Sequence, residues 1–239
     1  TALKEPMAEL IVALDVATAA EAEAVVDHLG DAVGFYKIGL ELFSADGPAV
    51  VRVVTARQKR VFLDLKLHDI PRTVARAVER IAALGVDLAT IHATGGRAMI
   101  RAAVEAARAA PTPPRIVAVT ALTSLDQSDL ADLGVSRPLR EQVAALGRLA
   151  VVEGGADGIV CSPQEVATMR AALGPDALLV TPGVRPAGAA LDDQKRVATP
   201  AAAVRDGATH LVVGRPILEA ADPRAAAYAI RAEMDGARP

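Results

Sequence analysis

Eight short runs of aliphatic and β-branched residues recur along the chain, each followed by a longer Ala-, Glu- and Arg-rich stretch of helical character. The runs lie at 10–16, 35–42, 61–67, 88–93, 115–122, 158–162, 178–184 and 210–216. Neighbouring parallel strands need a long crossover between them, and a helix after each run supplies it. Eight units in 239 residues is about 30 residues apiece, the size of one strand-and-helix repeat. The expected fold is therefore α/β, a single (β/α)8 barrel of the TIM type over 1–239, with 1–9 and 235–239 as flexible ends. An open doubly wound sheet would normally carry a Gly-rich turn after its first strand. This chain has Asp15-Val16-Ala17-Thr18-Ala19-Ala20 there. Gly30, Gly85 and Gly174 stand where helices should stop, and Pro71 and Pro223 fit first-turn positions. The connections at 123–138 and 185–200 are longer than the rest and fall on the side where barrel active sites lie, which makes both lid candidates.

Composition removes several classes of partner. Hydrophobic residues make up 52% of the chain, enough for a core, but aromatic residues only 2%, so that core must be aliphatic. A formal charge of -3 gives no bulk attraction for a phosphate polymer or an anionic membrane, and with no Trp, two Tyr and three Phe no stacking platform for single strands can be built on any scale. No nucleic-acid or membrane partner is expected. No run approaches the ~18 apolar residues of a membrane span, and the first nine residues lack the basic and apolar regions of a leader. Cys161 alone cannot form an intrachain disulfide or a cysteine cluster, and His28, His68, His92 and His210 show no metal-ligand spacing. The expected location is cytoplasmic and no metal is expected.

Strand alternation decides which side chains face the barrel axis. On the first strand Ile11, Ala13 and Asp15 point inward; on the second Phe35, Lys37 and Gly39; on the third Phe62, Asp64 and Lys66. Asp69 follows in the loop, so Asp15, Lys37, Asp64, Lys66 and Asp69 are expected near one mouth. A buried ion costs several kcal/mol unless it is paired, and a self-satisfied salt-bridge network is the plainer reading. Placement at strand ends favours a site instead. The alternating signs make each lysine a cationic donor able to deliver a proton. Asp64 fixed beside a substrate carboxylate would repel it by about 4 kcal/mol at ~4 Å and an effective dielectric near 20. That repulsion vanishes when neutral CO2 leaves.

The eighth run ends Val212-Val213-Gly214-Arg215-Pro216, where many barrels bind phosphate. Gly214 lets backbone N–H groups approach closely, and Arg215 brings a fork of donors matched to phosphate oxygens. Arg185 and Gln194, in the preceding connection, are candidates for the same anion. His92 and Cys161 read more simply as a structural histidine and a packed thiol.

Taken together, these motifs resemble the orotidine 5′-phosphate decarboxylases of the bacterial type. The run Asp64-Leu65-Lys66-Leu67-His68-Asp69-Ile70-Pro71 carries the DxKxxD signature. It is joined in order by Leu14-Asp15, Tyr36-Lys37-Ile38-Gly39, Thr120-Ala121-Leu122-Thr123-Ser124, Val180-Thr181-Pro182-Gly183-Val184-Arg185-Pro186, Asp193-Gln194-Lys195-Arg196 and Val213-Gly214-Arg215-Pro216. The resemblance spans 10–234. It implies a lyase without cofactor or metal, on a homodimeric barrel whose sites lie at the subunit interface, converting orotidine 5′-monophosphate to UMP and CO2 in de novo pyrimidine synthesis. It also implies roles. Lys66 would protonate C6 while Asp64 crowds the substrate carboxylate. Asp15 and Lys37 would bind ribose hydroxyls and hold the charged array, and Asp69 and Thr73 would reach the partner's site. Thr123 would contact the pyrimidine and Pro182 line the site. Gln194, Gly214 and Arg215 would hold the phosphate with Arg185 nearby. Sugar-phosphate lyases of the same superfamily share DxKxxD but use Mg²⁺, with an acid on the second strand where this chain has Lys37; a nucleotide-binding protein without chemistry is a third reading.

Overall fold

Eight parallel strands close into a barrel in the computed structural model of the chain, which describes residues 8–186 and 198–237. They are β1 (Glu9–Ala13), β2 (Phe35–Ile38), β3 (Arg60–Leu67), β4 (Leu88–His92), β5 (Arg115–Val119), β6 (Gly158–Val160), β7 (Leu178–Thr181) and β8 (His210–Val213). Each pairs with its neighbour in the chain, and β8 returns to β1 with His210 opposite Glu9. Around them run α1 (Ala19–Leu29), α2 (Leu40–Asp46), α3 (Pro48–Thr55), α4 (Pro71–Ala82), α5 (Gly96–Arg108), α6 (Gln127–Asp132), α7 (Leu139–Arg148), α8 (Val166–Leu173), α9 (Pro200–Arg205), α10 (Arg215–Leu218) and α11 (Pro223–Gly236).

The alternation of the sequence becomes two apolar shells. Ile11, Ala13, Phe35, Phe62, Leu88, Val117, Val180 and Val212 fill the barrel interior. The opposite faces of the strands, among them Leu10, Val12, Tyr36, Val61 and Leu63, pack against the helices. Local signals agree with this arrangement. Thr18 caps α1 in a reciprocal box with Glu21, Gly30 and Gly174 end α1 and α8 with positive φ, and Pro71 and Pro223 open α4 and α11.

Three expectations need correction. All strands but β3 stop short of the expected boundary, and at β2 the difference is largest: Gly39 caps α2, so Leu40 and Leu42 belong to a helix. Their apolar alternation reads as strand, yet Leu42 is buried against the outside of the barrel while Leu40 is 55% exposed. The ends expected to be flexible contribute to the fold, since Glu9 pairs in β1 and Asp235 and Gly236 finish α11; 1–7 and 238–239 lie outside the described residues. The connection at 123–138 holds α6, capped by Asp126 with Asp129. Of the connection at 185–200, residues 187–197 lie outside the described residues.

Candidate active site

The C-terminal ends of the strands surround a cavity of about 250 Å³. Asp15, Lys37, Asp64 and Lys66 line it together, as the inward parity of the first three strands requires. Lys37 Nζ stands 3.3 Å from Asp15 Oδ1 and 4.0 Å from Asp64 Oδ2, and Lys66 Nζ lies 2.8 Å from that same Asp64 oxygen. The four form a row of alternating sign, with Asp64 the most enclosed member at 9% exposure. Glycines leave the row its space. A Cβ on Gly39 would come 3.0 Å from Lys37 Nζ, and one on Gly214 would come 3.1 Å from Asp15 Oδ2.

Lys66 does not continue the regular strand. Its φ is 51°, in the left-handed region that residues with a Cβ rarely enter, and the pairing of β3 with β4 shifts register between Leu63 and Leu67. At this irregularity the Lys66 N–H donates to Thr90 Oγ1 at 2.8 Å, and the Thr90 hydroxyl donates to Asp64 Oδ1 at 2.9 Å. Thr90 was not among the residues singled out in the sequence. Its signal was available: it shares the inward row of β4 with Leu88, which puts a hydroxyl on the inner wall of the barrel.

The remaining expected residues divide. Thr123, Pro182, Arg185, Gly214 and Arg215 all line the same cavity. Gly214 and Arg215 do so at the junction of β8 and α10. Arg185 is 8% exposed, and its N–H donates to Ala198 O at 3.0 Å across the base of its connection. Gln194 lies outside the described residues. Asp69 does not join the charged row, contrary to the grouping of five charges. Its carboxylate turns back to accept the Ile70 N–H at 2.6 Å, and both Asp69 and Thr73 are exposed and off the cavity wall.

His92 sits at the end of β4 with its ring 5.4 Å from that of His68. Burial, then the nearby His68 and Lys66, hold its imidazole below the ordinary value, with Asp64 opposing. Cys161 is buried. Among the described residues no three His, Cys, Asp or Glu side chains are grouped so as to hold a metal ion, and no helix is long and apolar enough to cross a membrane.

Comparison with known proteins places this geometry among relatives. Residues 8–230 match the family described as Orotidine 5'-phosphate decarboxylase / HUMPS. The orotidine 5'-phosphate decarboxylase of Moorella thermoacetica is 52% identical over 233 residues, covering 95% of this chain and 92% of that protein. That of Anaeromyxobacter dehalogenans (strain 2CP-1) is 55% identical over 230 residues, covering 96% and 100%. The crystal structure of orotidine 5'-phosphate decarboxylase from Lactobacillus acidophilus superposes with a TM-score of 0.85 at 39% identity, covering 95% of this chain and 99% of that one. With a matching barrel and matches over nearly its whole length, the chain belongs to the orotidine 5'-phosphate decarboxylase / HUMPS family.

Proposed function

We propose that this chain, a single-domain barrel, converts orotidine 5′-monophosphate to UMP and CO2 without a cofactor, acting as a cytoplasmic homodimer. The observation that carries the reading is the pair of lysines on one enclosed carboxylate, with Asp64 Oδ2 lying 2.8 Å from Lys66 Nζ and 4.0 Å from Lys37 Nζ. A substrate carboxylate set beside Asp64 competes with it for the same cations and is repelled by it. Breaking the C6–carboxylate bond releases neutral CO2 and leaves the electron pair on C6. The Lys66 ammonium, held beside Asp64, would stabilise that carbanion and then give it a proton. Lys66 is reprotonated from solvent, and the array returns to its starting charge.

Enzymes of this kind of difficulty supply up to about 23 kcal/mol, so no single repulsion suffices. Phosphate binding supplies a further share. Arg215, Gly214 and Arg185 line the cavity, and with Gln194 they would hold the phosphate and spend its binding energy on placing the pyrimidine against Thr123 and Pro182. Asp15 and Lys37 would take the ribose hydroxyls. Asp69 and Thr73, exposed and off the wall of their own cavity, suit a role across a subunit interface. Lys37 beside Asp15 and Asp64 puts a cation where a Mg²⁺-dependent sugar-phosphate lyase needs an acid, which disfavours that reading.

The test is ultraviolet loss of orotidine 5′-monophosphate, with and without EDTA. The wild type should turn over equally in both. Lys66→Ala should lower kcat by at least about 10³-fold while UMP still binds. Arg215→Ala should weaken UMP binding by about 10- to 100-fold, the worth of a charge-assisted hydrogen bond. Chelator-sensitive turnover, or turnover that survives loss of Lys66, overturns the assignment.

A further inference from the structure

We propose that Thr90 is a positioning residue for the proton donor, tying the backbone of Lys66 to the carboxylate of Asp64 through one hydroxyl. The inference deepens the proposed function and rests on its reading of Lys66. A threonine hydroxyl has one proton to give and lone pairs to receive. Here both capacities are used within the site: the oxygen accepts the Lys66 N–H at 2.8 Å and the proton goes to Asp64 Oδ1 at 2.9 Å. Thr90 is 1% exposed, so water does not stand in easily for either bond.

Two features show what the link accomplishes. Lys66 holds a φ of 51° where β3 slips register against β4, and its N–H there is received by a side chain of the neighbouring strand. A left-handed residue with a Cβ persists only where its surroundings over-determine it, and Thr90 Oγ1 is the group that receives its N–H. The second feature concerns Asp64. With Oδ1 accepting from Thr90, Oδ2 is the oxygen turned to both Lys66 and Lys37. One hydroxyl thus fixes where the ammonium chain starts and which carboxylate oxygen it meets. A β-branched residue is stiff about χ1, so the hydroxyl is held on this line.

Both hydroxyl bonds run to β3 rather than to the phosphate-binding candidates Gly214 and Arg215, so the loss of the hydroxyl should act on turnover and spare binding. The experiment measures steady-state decarboxylation of orotidine 5′-monophosphate and UMP affinity for wild type, Thr90→Val, Thr90→Ser and Lys66→Ala. Valine keeps the shape and removes the hydroxyl; serine keeps the hydroxyl and removes the methyl. Thr90→Val should lose about 10- to 100-fold in kcat, the effect of unmaking one or two bonds to charged or buried groups, with KM and UMP affinity within about threefold of wild type. Thr90→Ser should recover kcat to within about threefold, which a purely packing role would not allow. If the valine variant does not fold, Thr90→Ala is read by the same criteria. Wild-type kcat in the hydroxyl-free variant overturns the proposal, as does equal loss in the valine and serine variants, or a loss confined to KM. Turnover surviving in Lys66→Ala overturns the reading of Lys66 and this proposal with it, whereas an inactive Lys66→Ala beside a fully active Thr90→Val overturns this proposal alone.

Discussion

Protonating His92 brings a positive charge into a half-buried place that already faces His68 and Lys66. Burial comes first among the causes that hold its imidazole below 6.5, and the two neighbours add to it. The folded protein therefore binds fewer protons at this position than the unfolded chain does. Its contribution to stability is complete above 6.5 and declines as pH falls through and below that value. We expect the melting temperature to drop between about pH 7 and pH 5.5, and His92→Asn to flatten part of that slope. Imidazole NMR should find His92 titrating below 6.5; a midpoint at or above it contradicts the account. The sequence made His92 a structural histidine by its place near a turn, and parity alone brought Asp15, Lys37, Asp64 and Lys66 together. The left-handed backbone at Lys66 was illegible because parity counts residues and assumes every one is extended. A single irregular residue leaves no mark in the alternation of its neighbours.

Strand β3 runs from one function to another. At its start Arg60 lies over the Phe35 ring, 4.2 Å from the centroid, pairs with Asp87 at 2.9 Å and with Glu9, and so closes the N-terminal end of the barrel with charge. Chiefly His210, whose Nε2 is 3.6 Å from Glu9, and also Arg60, hold the Glu9 carboxyl below its usual range against the opposing effect of burial. At its other end the same strand presents Asp64 and Lys66. Arg60→Ala should cost about 1–2 kcal/mol in urea denaturation, the sum of one cation–π contact and partly exposed ion pairs, and leave kcat within twofold. A large fall in kcat would mean that the two ends are coupled. Where strands begin was legible, since apolar alternation starts with the sheet. Where they end was not: at the mouth the strands run out of partners while the alternation continues into α2, and only Gly39 marks the change.

For the molecule as a whole, eight repeats were enough to give the barrel, because parallel strands with a helix after each have few other ways to bury both faces. What one chain cannot display is a site completed by two. Ile70 is 66% exposed and Leu40 55%, both at the mouth and close in sequence to Asp69 and Lys37. The proposed homodimer predicts that Leu40→Asp with Ile70→Asp gives a monomer in sedimentation velocity with kcat reduced about tenfold or more, the loss of a positioned contact. Asp at 70 stands at the cap of α4 and suits it, so the helix should survive. An active monomer would remove Asp69 and Thr73 from the partner's site. The pairing of β1 with β8 carries a consequence of another kind. During synthesis the first strand emerges nearly two hundred residues before the one that covers its free side. Until then the nascent sheet has two raw edges and an open apolar interior, both invitations to association. A chain cut short before His210 would keep the whole charged row of β1 to β3 and still expose both raw edges, so the last eighth of the sequence decides whether the barrel closes.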